Sequence, residues 1–288
     1  MQGRIIGNIA NLYKVEANNK IYDATARGKF KNQEISPVVG DEVEIEIENE
    51  IGIIEEILPR KTYIKRPKIA NITQIIYIIS TKNPKPDLLL LDKQLVISEF
   101  FNIKPIIIIN KIDLSDGYKE VEEVYKKIGY EVIITCAKEK VGIDKIKEVL
   151  KGNTSVFSGN SGVGKSSIIN CIFSEKITQE GEISLKNKKG KNTTTDIKLY
   201  KINENSYIAD TPGFSTFEIT EIESNELFKY FKEFKIEEQN CEFVGCTHIK
   251  EENCGIKKAL EEGKISNERY ERFCKIYHEL KEMEARKW

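Results

Sequence analysis

The spacing of hydrophobic residues changes twice along the chain, and these changes predict three regions. Up to about residue 62, apolar and polar residues alternate, as at Val43, Ile45 and Ile47, which are separated by glutamates. A period of two is typical of strands with one buried face. Asn18 and Asn19 lie between two β-like stretches and predict a hairpin turn. Short strands at this spacing predict a small barrel of the OB or SH3 type, with a plain antiparallel sheet as the alternative.

The middle region, 63–216, contains apolar runs without alternation, at 75–79 and 105–109 among others. Runs of this kind are typical of strands that are buried on both faces. Helical stretches lie between them, for example at 117–128 and 144–150. Strands that alternate with helices predict a parallel α/β sheet.

The last region, 217–288, is highly charged, and its apolar residues recur at helical spacing, as at Phe273, Tyr277 and Leu280. A cluster of cysteines and one histidine interrupts it. Together the three patterns predict a multi-domain α/β protein with an N-terminal β-barrel, a central α/β domain and a C-terminal helical domain. The predicted boundaries are 1–62, 63–216 and 217–288.

Composition narrows the class of protein further. The 288 residues include 45 Lys and Arg against 46 Asp and Glu, and 40% are hydrophobic, which is enough apolar material for a folded core. No run approaches the ~18 apolar residues of a membrane span, so we expect no membrane span and a cytoplasmic location. The net charge of −1 neither favours nor excludes a nucleic-acid partner, because local patches can still be basic.

A glycine-rich segment of the middle region carries the most specific motif. It matches G-x4-G-K-[ST] between a predicted strand and an apolar helix, and it reads Gly159-Asn160-Ser161-Gly162-Val163-Gly164-Lys165-Ser166-Ser167. Backbone N–H groups of such a loop can surround phosphate oxygens, and the following helix adds a favourable dipole. Lys165 would reach the β- and γ-phosphates, and the Ser166 hydroxyl would ligate Mg²⁺. An ordinary glycine turn is the alternative.

A second phosphate-side motif, D-x-x-G, begins with Asp210 at the end of a predicted strand. An aspartate there can hold Mg²⁺ directly or through water, and Gly213 would offer a backbone N–H near the γ-phosphate. A lysine-rich loop before it contains three threonines, at 193–195. One of them could close on Mg²⁺ and the γ-phosphate; we include Thr194 in the predicted site, and the sequence does not distinguish it from Thr193 or Thr195. The alternative is a solvated basic loop.

The segment Asn110-Lys111-Ile112-Asp113 follows a predicted buried strand and matches N-K-x-D. The carboxylate of Asp113 can accept hydrogen bonds from the N1–H and the 2-amino group of guanine, whereas adenine lacks both donors. Lys111 could lay its aliphatic stem on the base, and Asn110 could brace the neighbouring loops. The motif is short, and a surface loop is the alternative.

A third loop, Thr135-Cys136-Ala137-Lys138, follows the next predicted strand and resembles the S-A-K loop of GTPases. Cys136 stands where serine is usual, but a backbone N–H of Ala137 or Lys138 could still meet guanine O6. In ordinary small GTPases both base-binding loops follow the phosphate loop. Here they precede it, which is the order expected of a circularly permuted G domain.

Four residues of the last region predict a metal site: Cys241, Cys246, His248 and Cys254, in the pattern C-x4-C-x-H-x5-C. Three thiolates and one imidazole form a closed tetrahedral set, as in structural Zn²⁺ sites. Because no coordination position stays open, such a site would stabilise a small domain rather than catalyse a reaction. Unrelated free cysteines are the alternative.

Along the chain, the predicted N-terminal barrel is followed by N-K-x-D, G-x4-G-K-[ST], D-x-x-G and the Cys/His pattern. In this chain order, the four motifs resemble those of the RsgA-type small ribosomal subunit biogenesis GTPases over essentially the whole chain. The resemblance implies an OB-fold RNA-binding domain at 1–62, a circularly permuted GTPase domain at 63–216 and a helical zinc-binding domain at 217–288. It implies GTP or GDP, Mg²⁺ and one structural Zn²⁺ as cofactors. It also implies a monomeric GTP hydrolase, without a membrane partner, that binds the 30S ribosomal subunit and its 16S rRNA late in assembly. Stimulation of hydrolysis by the subunit is part of the same expectation.

Two positions depart from the expected pattern. Phe214 stands where Ras-like proteins place the glutamine that orients the attacking water, so slow intrinsic hydrolysis is expected. Asn192 stands where the family often has histidine, and asparagine can form hydrogen bonds but cannot titrate. Both departures keep open a non-catalytic rRNA-binding scaffold that GTP stabilises. An ATP-using P-loop enzyme is a second alternative, against which Asp113 argues.

Two basic stretches, at 27–31 and 60–68, could contact RNA. Lysine and arginine at such spacing suit the phosphates of a folded RNA. A solvated charged face is the alternative.

Overall fold

The computed structural model of the chain describes residues 1–9, 12–28, 30, 35–174, 197–210 and 221–286. The strands in these ranges are β1 (Gln2–Ile9), β2 (Leu12–Ala17), β3 (Lys20–Ala26), β4 (Glu42–Glu48), β5 (Ile51–Ile57), β6 (Tyr63–Lys65), β7 (Lys68–Ala70), β8 (Gln74–Ser80), β9 (Lys104–Asn110), β10 (Glu131–Ile134), β11 (Thr154–Ser158), β12 (Lys198–Asn203) and β13 (Ser206–Asp210). The helices are α1 (Leu88–Phe100), α2 (Tyr118–Ile128), α3 (Ile143–Leu150), α4 (Lys165–Ser174), α5 (Phe234–Glu237), α6 (Gly255–Glu261) and α7 (Asn267–Ala285), with 3₁₀ turns at Ile112–Leu114, Ser224–Tyr230 and Glu238–Asn240.

The first five strands close into a barrel in the order β1-β2-β3-β5-β4, and β4 pairs back to β1. Val43 and Ile45 are buried in its core, whereas Glu44 between them is exposed, as the alternation predicts. Asn18 and Asn19 join β2 to β3 with φ values of +50° and +59°, which suit a tight hairpin turn. The predicted small barrel is therefore confirmed.

The middle region forms a parallel sheet in the order β10-β9-β8-β11-β13, with β12 antiparallel beside β13. The apolar runs predicted as buried strands are β8 and β9, and every residue of β8 is buried. The two predicted helices are α2 and α3, each beginning within one residue of the expected position. Helices cover both faces of such a sheet, which explains why its strands are apolar throughout. The α/β prediction is confirmed.

The barrel and the parallel sheet belong to one 11-stranded sheet. They meet where β1 pairs antiparallel with β12, with Gly7 opposite Lys198. Strand β12 was not among the sequence predictions, because its residues alternate only weakly between buried and exposed positions.

Side chains reinforce this contact between barrel and sheet. Arg4 donates a hydrogen bond to Thr154 Oγ1 at 3.0 Å. Glu16 pairs with Lys201 and accepts a hydrogen bond from the Tyr207 hydroxyl at 3.0 Å. We call the contact formed by Arg4, Glu16, Lys201 and Tyr207 the barrel junction.

The last region folds around Phe231, Phe234 and Phe273, whose ring centroids lie 4.8 to 5.2 Å apart. Its helices are short except α7, which begins where the Ser266 hydroxyl oxygen accepts a hydrogen bond from the backbone N–H of Arg269. The predicted helical region is confirmed. None of the helices in the described parts of the chain has both the length and the apolarity of a membrane span.

Helix α1 lies between two hydrophobic cores. Leu91 and Leu95 belong to the core that the sheet shares with the barrel, whereas Val96 and Ile97 belong to the core of the last region. The apolar residues of α1 do not lie on a single face, and a helix of that kind is expected to be buried on more than one side. The helix begins at Asp87, whose carboxylate accepts a hydrogen bond from the N–H of Leu90.

Candidate nucleotide and metal sites

The carboxyl ends of four of the five parallel strands bring the predicted nucleotide motifs to one edge of the sheet. Strand β11 leads into the glycine-rich loop, and β9, β10 and β13 end at Asn110, Ile134 and Asp210. In open α/β sheets, ligands bind outside the carboxyl ends of the strands. This edge is therefore the candidate nucleotide site.

The glycine-rich loop needs glycine at two crowded positions. Gly159 has a φ of +147° and Gly164 one of +102°, values that favour glycine. A Cβ at Gly164 would lie 2.2 Å from the side-chain nitrogen of Asn110, and one at Gly159 would lie 2.3 Å from the carbonyl oxygen of Ile78. The loop thus packs against β8 and the end of β9 at distances that no larger residue allows.

Lys165, the first residue of α4, folds back onto this loop. Its ammonium group donates hydrogen bonds to the carbonyl oxygens of Gly159 and Asn160, the latter at 2.9 Å. Burial lowers the pKa of Lys165 from its ordinary value. Ser166 and Ser167 follow in the first turn of the helix and are exposed. A cation and two hydroxyls therefore stand at a helix N-terminus, where backbone N–H groups favour anions.

Asn110 ties three loops together through one buried amide. Its Nδ2 donates to the carbonyl oxygen of Val163 at 2.9 Å. Its Oδ1 accepts from the Thr135 hydroxyl at 3.0 Å and from the N–H of Ala137 at 3.2 Å. The N–H of Ile112 adds a bond to the carbonyl oxygen of Thr135 at 3.3 Å. The bracing expected of Asn110 is thus present in the geometry of the loops.

Lys111 forms a second link between the N-K-x-D segment and the glycine-rich loop. Its Nζ donates to the carbonyl oxygen of Gly162 at 2.7 Å and to that of Asn83. Its own carbonyl accepts from the Thr81 hydroxyl at 2.6 Å. Thr81 and Asn83 follow β8 directly, and no local motif in the sequence points to them.

Asp113 lies in the 3₁₀ turn after Lys111 and is exposed. The Cys136 thiol donates a hydrogen bond to Asp113 Oδ1 at 3.3 Å, so cysteine retains a polar contact that a serine hydroxyl could also make. Burial raises the pKa of the Cys136 thiol, which keeps it protonated as a donor. In the same loop Ala137 is buried and Lys138 is exposed.

The magnesium-side residues are described only in part. Asp210 is the last residue of β13, which runs parallel to β11 with Ala209 opposite Val156. The backbone of Asp210 therefore lies at the same edge as the glycine-rich loop. The other residues assigned to this side lie outside the described residues, namely Asn192, Thr193, Thr194, Thr195, Gly213 and Phe214. Their roles stay predictions.

The four predicted metal ligands of the last region come together. Their donor atoms all lie within 4.8 Å of one another. His248 Nδ1 is 3.6 Å from Cys241 Sγ and 3.4 Å from Cys254 Sγ, and these two sulfurs are 4.0 Å apart. A tetrahedral Zn²⁺ with bonds of about 2.0–2.3 Å separates its donor atoms by about 3.5–3.8 Å. The set, completed by the buried Cys246, therefore fits a zinc ion.

Further contacts hold the ligand loops in place. Tyr270 of α7 donates a hydrogen bond to the carbonyl oxygen of His248 at 2.7 Å. Glu251 accepts hydrogen bonds from the N–H and the hydroxyl of Thr247 at 2.9 and 2.8 Å. Burial by itself would raise the pKa of Glu251, but hydrogen bonds from this loop outweigh it and lower the pKa to about 2. The Glu251 carboxylate therefore stays charged and stabilises, through these hydrogen bonds, the loop that carries His248.

A buried ion cluster lies outside both sites, and the sequence patterns did not predict it. Asp92 of α1 pairs with Arg269 and Arg272 of α7, and Arg269 also pairs with Glu233. We call these four residues the α1 junction. A local signal exists in the aspartate between the apolar stretches 88–91 and 95–97, because a buried carboxylate needs a partner. The identity of that partner, far along the chain, carries no such signal.

Comparison with known proteins agrees with this geometry. A family model described as RsgA GTPase matches residues 57–220, and one described as RsgA N-terminal domain matches residues 2–54. Two curated relatives bear the name small ribosomal subunit biogenesis GTPase RsgA. The one from Alkaliphilus metalliredigens (strain QYMF) is 38% identical over 285 residues, covering 97% of this chain and 98% of the relative. The one from Clostridium novyi (strain NT) is 41% identical over 291 residues, covering 100% of both.

Two solved structures are similar to nearly the whole chain. The crystal structure of YjeQ from Thermotoga maritima has a TM-score of 0.85 and 36% identity, covering 97% of this chain and 98% of that one. The structure of YloQ, described as a circularly permuted GTPase, has a TM-score of 0.80 and 33% identity, covering 98% of this chain and 95% of that one.

The fold, the order of the motifs and these structures define a circularly permuted GTPase, an enzyme that hydrolyses GTP. The family model matches more than half of the chain, and the curated relatives match essentially all of it. The chain therefore belongs to the RsgA family of GTPases. The family resemblance and the predicted GTP hydrolase activity are confirmed, and neither the ATP-using enzyme nor the non-catalytic scaffold is supported.

Proposed function

We propose that the protein hydrolyses GTP as part of small ribosomal subunit biogenesis, bound to the 30S subunit and its 16S rRNA. Its curated relatives carry that process in their name. The observation that supports nucleotide binding is the position of Asn110. Its single buried amide contacts the glycine-rich loop at Val163 and the S-A-K-like loop at Ala137. A ligand that has phosphates at one end and a base at the other fits loops that are held together in this way.

On the base side, Asp113 selects guanine, because its carboxylate accepts from the two donors that adenine lacks. The Cys136 thiol holds one oxygen of that carboxylate. Lys111 supports the base with its aliphatic stem. On the phosphate side, Lys165 and the backbone N–H groups of the loop bind the β- and γ-phosphates.

Hydrolysis proceeds by in-line attack of water on the γ-phosphate. Ser166, Thr194 and Asp210 would hold Mg²⁺, which supplies positive charge to the triphosphate when it is bound. The backbone N–H of Gly213 would meet the γ-phosphate. Since Phe214 cannot orient the attacking water, we expect the bound subunit to complete the site and to stimulate hydrolysis.

RNA is proposed to bind at the barrel and at the β6–β7 hairpin beside it. Four cations are exposed on this hairpin and the segment before it: Lys61, Lys65, Arg66 and Lys68. None of them forms an ion pair with any residue that the structure describes, which leaves them available for RNA phosphates. Arg27, from the other basic stretch, pairs with Glu46 and Glu55 and is less available.

We retain the domain boundaries 1–62, 63–216 and 217–288 for the RNA-binding barrel, the GTPase domain and the zinc-binding domain. One Zn²⁺ bound by Cys241, Cys246, His248 and Cys254 would tie together a region whose helices, apart from α7, are short. We expect the protein to act as a monomer in the cytoplasm, where small subunits are assembled, without a membrane partner.

GTP turnover in the presence of Mg²⁺ tests this function. It should be measured with the protein alone, with purified 30S subunits and with 50S subunits as the control. We expect strong stimulation by 30S subunits only. Tight GTP binding without stimulation by 30S subunits would contradict the proposed partner, and Asn192→His would then show whether that position accounts for the loss.

A further inference from the structure

Helix α1 contacts the end of the strand that carries the glycine-rich loop. Gln94 Nε2 donates a hydrogen bond to Ser158 Oγ at 3.0 Å, and Ser158 is the last residue of β11 before the loop. Tyr77 of β8 donates to the carbonyl oxygen of Gln94 at 2.7 Å and so holds the helix in place. Leu91 and Asn160 line one crevice between the helix and the loop. A shift of α1 would therefore move residues that pack against the glycine-rich loop.

The same helix is anchored to the C-terminal region through Asp92. The Asp92 carboxylate accepts hydrogen bonds from Arg269, from Arg272 and from the Tyr125 hydroxyl, the last at 2.6 Å. Arg269 also donates to Glu233 from Nε and Nη2. Two carboxylates and two guanidinium groups balance in charge, so the α1 junction is neutral as a whole.

The α1 junction is built to keep one geometry. The guanidinium carbon of Arg269 lies 4.7 Å from the ring centroid of Phe231 and 5.4 Å from that of Tyr125. A buried charge that loses its partner is costly, so separating the members of the cluster is unfavourable. Packed interiors of this kind switch between discrete arrangements rather than deform continuously. A displacement of α7 therefore moves α1 with it or breaks the cluster.

We propose that Asp92 and Gln94 are positioning residues for the glycine-rich loop, and that the placement of the C-terminal region sets how tightly this loop holds the phosphates of GTP and GDP. Residues two apart on an α-helix point about 200° apart and differ by about 3 Å along its axis, so α1 presents Asp92 to α7 and Gln94 to β11 from opposite sides. This role rests on the proposed function, since it requires the loop to bind phosphates. A partner that displaces α7 would loosen the bound nucleotide.

The dissociation rate of a fluorescent GDP analogue from the full-length protein tests this role. Asp92→Asn removes the charge with little change of shape, and we expect it to raise the rate about fivefold or more, the lower range of coupling between sites. Gln94→Ala should act in the same direction. The dissociation rate of the double variant should rise more than that of either single variant. The rise should be smaller than the product of the two single increases, because both substitutions act through one helix. The preference for GTP over ATP should not change, since Asp113 lies in another loop.

Lys93→Ala is the matched control, because Lys93 also joins α1 to α7, but through a partly exposed pair with Glu279. It should leave the dissociation rate within about twofold of the wild type.

If Asp92→Asn lacks cooperative unfolding, Arg272→Gln takes its place, since Arg272 lies at the rim of the cluster. A folded Asp92→Asn or Arg272→Gln variant with the wild-type rate would overturn the proposal, and so would independent, multiplicative effects of Asp92→Asn and Gln94→Ala. If the wild-type protein bound no guanine nucleotide, the proposed function itself would fail, so the two failures are distinguishable.

Discussion

The two flanking regions are both attached to the GTPase domain by ion pairs, but the two junctions differ in their contact with solvent. At the barrel junction, Lys201 and Glu16 keep 33% and 11% of their side-chain surface exposed. At the α1 junction, Arg269 and Asp92 keep 1% and 0%. Exposed pairs contribute about 0–1 kcal/mol, whereas removal of one partner from a buried pair costs about 3–5 kcal/mol. A single substitution at the α1 junction should therefore weaken the attachment of the C-terminal region strongly, whereas a single substitution at the barrel junction should weaken the attachment of the barrel only slightly.

Substitution of a metal ligand is expected to have the largest effect, because it should destabilise the C-terminal region and leave the barrel unchanged. Cys254→Ser removes one of four ligands, and structural zinc contributes about 10–16 kcal/mol in zinc-finger peptides. We expect the variant to lose its zinc and the C-terminal region to become sensitive to protease while the barrel stays resistant. Zinc content and limited proteolysis measure both. Cys274→Ser, outside the cluster, should keep its zinc, and full zinc content in Cys254→Ser would remove that residue from the ligand set.

The next largest effect is expected at the α1 junction. Arg269→Ala leaves Glu233 without its partner in the cluster and Asp92 with Arg272 as its only remaining cation, and we expect it to lower the free energy of unfolding by about 3–5 kcal/mol. Denaturant unfolding measures this loss. Lys93→Ala breaks a partly exposed pair between the same two helices and should cost no more than about 1 kcal/mol. Equal losses in the two variants would mean that burial does not distinguish these contacts.

A substitution at Asp113, which belongs to neither junction, should change nucleotide affinity without changing the stability of either attachment. Asp113→Asn removes a charged acceptor for two guanine donors, and we expect GTP affinity to fall about a hundredfold or more, at about 1.5–3 kcal/mol for each such hydrogen bond. Xanthine nucleotide should then bind better, because its 2-oxo group can accept from the new amide. The free energy of unfolding should stay close to that of the wild type. Unchanged GTP affinity would show that Asp113 does not recognise the base.

The smallest effect is expected at the barrel junction. Glu16→Gln weakens the contacts with Lys201 and Tyr207 but leaves the backbone pairing of Gly7 with Lys198 in place. We expect a loss of about 1 kcal/mol in the free energy of unfolding, and unfolding should remain a single transition for barrel and sheet. Separate unfolding of the barrel would show that these side chains, rather than the shared sheet, hold the two parts together.

Elements with a local pattern were predictable from the sequence. The alternation at Val43 and Ile45, the apolar runs of β8 and β9 and the glycine-rich loop each record the environment of a single segment, because side-chain periodicity follows secondary structure. The Cys/His spacing is local in the same sense. These patterns sufficed for the fold class, for the motif order and for the residues that the structure brings together at the sheet edge and in the metal cluster.

Contacts between distant residues were not predictable in this way. Arg269 meets Asp92 across 177 positions, and Asn110 meets Val163 across 53. Nothing in the neighbourhood of Arg269 distinguishes it from the other exposed-looking cations of a charged helix, because its burial depends on α1 packing against α7. Asn110 was predictable as a motif residue, but its exact partners were not. Coupling between regions is therefore recorded in the tertiary arrangement rather than in any single stretch of sequence.

The pairing of β1 with β12 has a consequence for protein made without its first 62 residues. In the whole chain, β1 covers the free side of β12 where Gly7 faces Lys198. Without the barrel, β12 would become an edge strand of the parallel sheet, with Leu199 and Ile202 close to unpaired backbone groups. Uncovered edges of this kind pair with other chains and lead to aggregation. We therefore expect protein that lacks the barrel to associate with copies of itself more readily than the whole chain does.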